Sequence, residues 1–148
     1  MDQVALWETK SEEETKRRGK DFVVSLCKAP SLVLLEGELG AGKTVFVKGM
    51  AKALGISEEQ VRSPTFGLIH EYLGDPFPLY HMDFYRLGDW GEVVDLGFEE
   101  YLERDGIIAI EWGGKFLSFF SPPFFVVHIV VTGEQTRRIE VSFAGGKV

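Results

Sequence analysis

Hydrophobic and polar positions along the chain fall into short apolar runs separated by segments whose apolar residues recur at helical spacing. Val4–Trp7 has the look of a short strand. From Ser11 the pattern changes. Ser11 and Glu14 have the S-x-x-E spacing of a capping box, acids crowd the first turn, and Phe22, Val23 and Leu26 supply a buried side before Ala29-Pro30 stops the helix. Ser31–Glu36 (SLVLLE) is apolar without alternation, the pattern of a strand covered on both faces. Val45–Leu54 is predicted helical, with Phe46, Val47, Met50, Ala51 and Leu54 on one side and Gly55 closing it. Phe66–Leu73 and Pro78–Arg86 suit two strands joined by the turn Gly74-Asp75-Pro76, and Glu92–Arg104 a helix broken at Gly97. Ile107–Trp112 (IIAIEW) is a second buried strand. After the loop Ser121–Pro123, Phe124–Thr132 and Thr136–Phe143 form a terminal hairpin. Buried strands alternating with helices predict one α/β domain over residues 1–148, a mixed sheet flanked by helices.

Between the first buried strand and the next helix lies GELGAGKT, Gly37–Thr44, with the G-x-x-x-x-G-K-[ST] spacing of a phosphate-binding loop. The chemistry accounts for each residue type. Main-chain N–H groups of Glu38, Leu39, Gly40, Ala41, Gly42, Lys43, Thr44 and Val45 curl around phosphate oxygens, which needs glycine where φ is positive or a side chain would block the ligand. The helix that follows adds its N-terminal dipole. Lys43 places a cation on the outer phosphates and the Thr44 hydroxyl is a magnesium ligand. With this glycine content the pattern arises by chance in roughly one per cent of chains, and its position between a strand and a helix lowers that further. The expected fold is therefore P-loop NTPase-like, with ATP and Mg2+ as ligands and Lys43 as a catalytic residue.

Magnesium at such a loop needs an acid on a neighbouring strand end. Glu111, ending IIAIEW, and Asp83, in HMDFYR, are both candidates for a metal or water role; for Asp83 the competing reading is a pair with Arg86. His70 and His81 read as packed or partner-facing. No asparagine occurs and none of the seven aspartates has glycine three residues later, so the base and switch motifs of guanine-specific proteins are missing and adenine is the default.

Composition narrows the partners. A net charge of -7 argues against a free-standing nucleic-acid binder, since phosphate neutralisation needs a basic face. Cys27, the single cysteine, excludes a disulfide within the chain. No basic start precedes an apolar run, and the longest apolar segment, Phe124–Val131, is interrupted by His128 and too short to span a bilayer. The expectation is a cytoplasmic protein with no membrane and no DNA partner.

SPTF at Ser63–Phe66, HMDFYRL at His81–Leu87 and IEW at Ile110–Trp112, in this order behind GELGAGKT, resemble the TsaE (YjeE) family, bacterial ATPases required for threonylcarbamoyl modification of the tRNA adenosine beside the anticodon. The resemblance runs from the Ser11 helix to Arg137-Arg138. It implies that Asp83 is needed for hydrolysis, that Glu111 acts at the magnesium, that Thr65 belongs to a switch-like segment near the γ-phosphate, and that Trp112 lies close to the nucleotide. It also implies that Glu12 and Thr15 border the adenine and that one of Arg137 and Arg138 approaches the nucleotide. The partners it implies are TsaD and TsaB, whose complex would be reset by hydrolysis, with tRNA acted on indirectly. In one respect the chain departs from the family: Gly113-Gly114-Lys115 follows the Glu-Trp pair, where proline is frequent. Two other functions fit the same loop, a small-molecule kinase and a nucleotide-binding module without turnover. Seven scattered arginines and no lid-sized insertion disfavour the kinase.

Overall fold

The two continuous apolar runs lie side by side as parallel strands in the middle of one sheet. The computed structural model describes residues 1–27, 30–64 and 69–145. In chain order its elements are β1 (Asp2–Thr9), α1 (Glu12–Ser25), β2 (Ser31–Glu36), α2 (Lys43–Ala53), β3 (Ile69–Tyr72), β4 (Leu79–Asp83), α3 (Trp90–Asp95), α4 (Phe98–Tyr101), β5 (Ile107–Glu111), β6 (Phe124–Val131) and β7 (Arg137–Ala144). The sheet runs β1-β7-β6-β2-β5-β4-β3. Its centre, β6-β2-β5-β4, is parallel, and β7, β1 and β3 join it antiparallel. This is the mixed α/β sheet the sequence predicts.

Strand alternation divides the apolar residues between the two faces. Val33, Leu35, Ala109, Val127 and Val141 face α1 and α2 with Phe22, Phe46 and Met50. Leu34, Met82, Ile108 and Ile110 face a second cluster rich in Phe84, Phe98, Phe116 and Phe120. The central strands are buried on both sides, hence their unbroken hydrophobicity. Helices α1 and α2 cross at glycine: a β-carbon on Gly49 would overlap the Lys16 carbonyl oxygen.

Several boundaries differ from the sequence reading. β1 extends over Asp2–Thr9, well beyond Val4–Trp7, because β7 pairs with it along almost its whole length. The Ser11 cap forms, its Oγ accepting the Glu14 N–H at 3.1 Å, but Glu14 Oε1 returns to the Lys10 N–H at 2.9 Å. α2 begins at Lys43, inside the glycine motif, two residues earlier than its apolar spacing indicates. The strand expected over Pro78–Arg86 stops at Asp83, and Phe84–Leu87 turns away, with the Leu87 N–H bonded to the Phe84 carbonyl at 3.1 Å. Of the strand expected over Phe66–Leu73, Ile69–Tyr72 is paired with β4, and residues 66–68 lie outside the described residues. Gly97 does break the expected helix, with φ at +82° between α3 and α4. A 3-10 segment over Gly114–Phe119 was not apparent in the sequence. No helix among the described residues is long and apolar enough to cross a membrane.

Candidate functional site

The glycine loop leaves the C-terminal end of β2 and enters α2, and the ends of β4 and β5 stand beside it. Open α/β sheets bind ligands at this edge. Gly42, the residue before the helix, has φ of +113°. A side chain there would find space, the nearest atom being Thr15 Cγ2 at 3.9 Å, but the backbone conformation is one L-residues rarely adopt.

Lys43 opens α2 and is buried. Its Nζ donates to the carbonyls of Gly37 at 2.6 Å and Glu38 at 3.0 Å, and lies 4.0 Å from the centroid of the Trp112 ring. Burial draws its pKa down, and the negative charges of Glu111, Glu36, Asp83 and Glu38 act in the opposite direction. Trp112 itself has φ of +64°, the left-handed region. Such strain in a non-glycine residue costs about 1–3 kcal/mol and clusters at functional sites. The Tyr85 ring packs against it with centroids 4.9 Å apart.

Asp83 and Glu111 end neighbouring parallel strands in register. Glu111 is buried, and its Oε2 accepts the Thr44 hydroxyl at 2.8 Å and the ring nitrogen Nε2–H of His81 at 2.6 Å. Burial alone would raise its pKa, but the bond and charge of His81, the Thr44 bond and the Lys43 charge together hold it below the usual carboxylate range. Asp83 is only half-buried, and its Oδ1 accepts the Tyr85 N–H at 2.8 Å. Desolvation dominates there and, with the Glu111 charge, pushes its carboxyl up against the opposing effects of the Tyr85 bond, His81 and Lys43.

These groups open into a cavity of about 470 Å3. Its wall includes Leu39, Gly40, Ala41, Gly42, Lys43, Thr44 and Val45 from the loop and helix start, Asp83, Glu111 and Trp112 from the strand ends, and Glu12, Thr15 and Arg137. The candidates named from the sequence are therefore brought together, with two exceptions. Glu38 is not on the wall and contributes its carbonyl to Lys43. Thr65 lies outside the described residues. A larger apolar cavity, about 740 Å3, sits at the other end of the strands near Leu32, Tyr101 and Phe124 and holds none of these residues.

Between the two adjacent arginines the geometry discriminates. Arg137 donates Nε to the Ala41 carbonyl at 2.8 Å and Nη1 to the carbonyls of Gly133 at 3.1 Å and Thr136 at 2.9 Å. It braces the glycine loop from β7. Arg138 alternates to the other side and pairs with Glu140 at 3.4 Å. His81 is packed, one of the two readings the sequence offered, but its bond to Glu111 was missed, as were Tyr85 and Glu36. His81 precedes Asp83 by two strand positions and so shares its face, a signal that was available. Glu36 gave none: its Oε2 accepts the Gly114 N–H at 3.0 Å, from the departing Gly113-Gly114 segment, and a β-carbon on Gly114 would overlap its carboxylate. Burial raises the Glu36 pKa, while the Gly114 bond and the Lys43 charge oppose it.

Comparison with known proteins supplies the family. The family model described as threonylcarbamoyl adenosine biosynthesis protein TsaE matches residues 9–139. A protein of Bacillus subtilis named tRNA threonylcarbamoyladenosine biosynthesis protein TsaE is 39% identical over 141 residues, covering 95% of this chain and 87% of its own length. The protein of the same name from Treponema pallidum is 40% identical over 134 residues, covering 90% of this chain and 97% of its own. The crystal structure of Bacillus subtilis YdiB superposes with a TM-score of 0.76 at 33% identity, covering 97% of this chain and 87% of that one. Matching along nearly its whole length in sequence and in fold, this chain belongs to the TsaE family, which serves threonylcarbamoyladenosine biosynthesis in tRNA.

Proposed function

We propose that the chain is a magnesium-dependent ATPase that resets a TsaB–TsaD complex between rounds of tRNA threonylcarbamoylation. One observation carries this reading: Lys43 and Thr44 at the start of α2 line a single cavity of nucleotide size together with Asp83 and Glu111, with the Thr44 hydroxyl bonded to the Glu111 carboxylate. ATP would lay its phosphates along the loop, where the amides and the helix dipole favour negative charge. Lys43 would exchange its two carbonyl partners for phosphate oxygens. Glu12 and Thr15, at the start of α1, line the same cavity and suit the base.

Thr44, Glu111 and Asp83 present hard oxygen donors, which fits Mg2+. Among the described residues no group of three or more His, Cys, Asp or Glu is placed to hold a metal, so phosphate oxygens and water would complete its shell, as is usual for this ion. Magnesium bound there supplies charge neutralisation on the phosphates and fixes their orientation. The ionised Glu111 holds the Thr44 hydroxyl in place. Asp83, whose carboxyl is pushed up by burial and the Glu111 charge and is thereby a stronger base when ionised, is suited to orient the attacking water and take its proton. Arg137, on the cavity wall, has given donors to carbonyls, so the chain alone should turn over slowly. The charge of -7 favours indirect action on tRNA through the partners.

Phosphate release from Mg·ATP, measured with and without TsaB–TsaD, tests the proposal. Slow release alone and clear stimulation by the partners are expected. Tight binding without release under both conditions would leave a binding module, and robust transfer to an acceptor would replace the reading with a kinase.

A further inference from the structure

One polar side chain is sealed inside the same wall. His81 is 0% exposed, and its Nε2 lies 2.6 Å from Glu111 Oε2. A carboxylate oxygen accepts, so this bond takes the tautomer with the proton on Nε2, the ring N–H being the donor. The same oxygen accepts the Thr44 hydroxyl, so two donors, one from α2 and one from β4, address Oε2. The other ring nitrogen, Nδ1, is buried with no hydrogen-bond partner among the described residues. A buried unpaired nitrogen costs folding free energy, and an apolar ring of the same size would avoid that cost if packing were the whole purpose. In the sheet, His81 stands opposite the small Ala109, and Asp83 opposite Glu111, so His81 reaches Glu111 diagonally between two neighbouring pairs.

We infer that His81 is a positioning residue that clamps the Glu111 carboxylate against Thr44 and so sets how that pair meets the magnesium of bound nucleotide. The inference rests on the proposed Mg·ATP site. A histidine N–H on a ligating carboxylate is an outer-shell partner, and losing one typically weakens metal binding by about 10–100-fold. His81 does not line the cavity, so its loss should weaken the coupling between metal and nucleotide while sparing phosphate recognition by Lys43 and the loop amides.

The test is ATP affinity by calorimetry, in Mg2+ and in EDTA, for the parent, His81→Phe and His81→Gln. Phenylalanine keeps the ring and removes the donor; glutamine restores an N–H that can reach Glu111. The parent should bind more tightly in Mg2+. His81→Phe should keep the EDTA affinity and lose about tenfold or more of the Mg2+-dependent gain, with a matching rise in the Mg2+ concentration for half-maximal phosphate release, and His81→Gln should recover most of both. If His81→Phe does not fold, His81→Asn, whose shorter amide falls short of Glu111, takes its place with the same outcomes. Equal losses in both buffers, or no difference between Phe and Gln, would reduce His81 to packing and overturn the inference. A parent that binds Mg·ATP while His81→Phe matches it sinks this inference alone; a parent that binds no ATP sinks the proposed function with it.

Discussion

Asp83 and Glu111 stand opposite each other on adjacent parallel strands, yet their surroundings drive the two carboxyls in opposite directions: Asp83 upward through burial, Glu111 downward because His81, Thr44 and Lys43 outweigh its burial. Two neighbouring acids separated in this way are the usual mark of divided acid–base labour. Asp83→Asn and Glu111→Gln should each lower partner-stimulated phosphate release by about 100-fold or more, while calorimetry still detects nucleotide. Full activity in both variants would remove the catalytic assignments.

Arg137 and Arg138 offer an internal control. Arg137→Ala strips the Ala41 carbonyl of its donor, a loss of about 1–3 kcal/mol, and a loosened loop should bind ATP about tenfold more weakly. Arg138→Ala removes only an exposed pair with Glu140 and should stay within about 0.5 kcal/mol of the parent in stability. Equal affinity losses in the two variants would contradict the bracing role.

At Trp112 the usual ranking of glycine and alanine should invert. With φ at +64°, alanine keeps the left-handed strain that glycine escapes, so Trp112→Gly should be more stable than Trp112→Ala by about 1 kcal/mol in chemical denaturation. Both lose the ring over Lys43. A less stable glycine variant would mean that the backbone relaxes once the indole is gone.

The crossing of α1 and α2 tolerates no added atom at Gly49. Gly49→Ala should destabilise by about 1–3 kcal/mol through overpacking, lowering the melting temperature by about 2–10 °C. An unchanged melting point would show that the helices can part without cost.

Glu36 should give a pH-dependent signature. Its folded-state pKa is raised, chiefly by burial, so its contribution to stability is fully present below the unfolded carboxylate pKa and is lost as pH rises through the folded value. Glu36→Gln keeps an acceptor for the Gly114 N–H and carries no charge. Its stability relative to the parent should therefore increase as pH rises from the ordinary glutamate range toward neutrality, then level off. Thermal melting of both chains across that interval checks it; a gap that narrows with rising pH would reverse the assigned cause.

The glycine loop was legible because main-chain geometry around phosphate dictates residue types at fixed spacing, and Glu111 and Asp83 because an acid at the end of an apolar strand is conspicuous. Local pattern was silent where a partner lies far along the chain. His81 is understood only with Glu111, Arg137 only with Ala41, and Glu36 only with Gly114. The same cause hid the length of β1, whose strand character comes from β7 more than from its own mixed sequence. The early start of α2 was missed because Lys43 and Thr44 belong to the loop motif and to the helix at once.

The pairing of β1 with β7 has a consequence for how the molecule is made. Asp2 to Thr9 are made well before the strand that receives them, Phe143 back to Arg137. Until then β1 lacks the strand it pairs with, and Ala41 waits for its guanidinium. Non-local pairing of this kind slows folding, so the part of the cavity wall that Arg137 supplies should form only after β7 has been made.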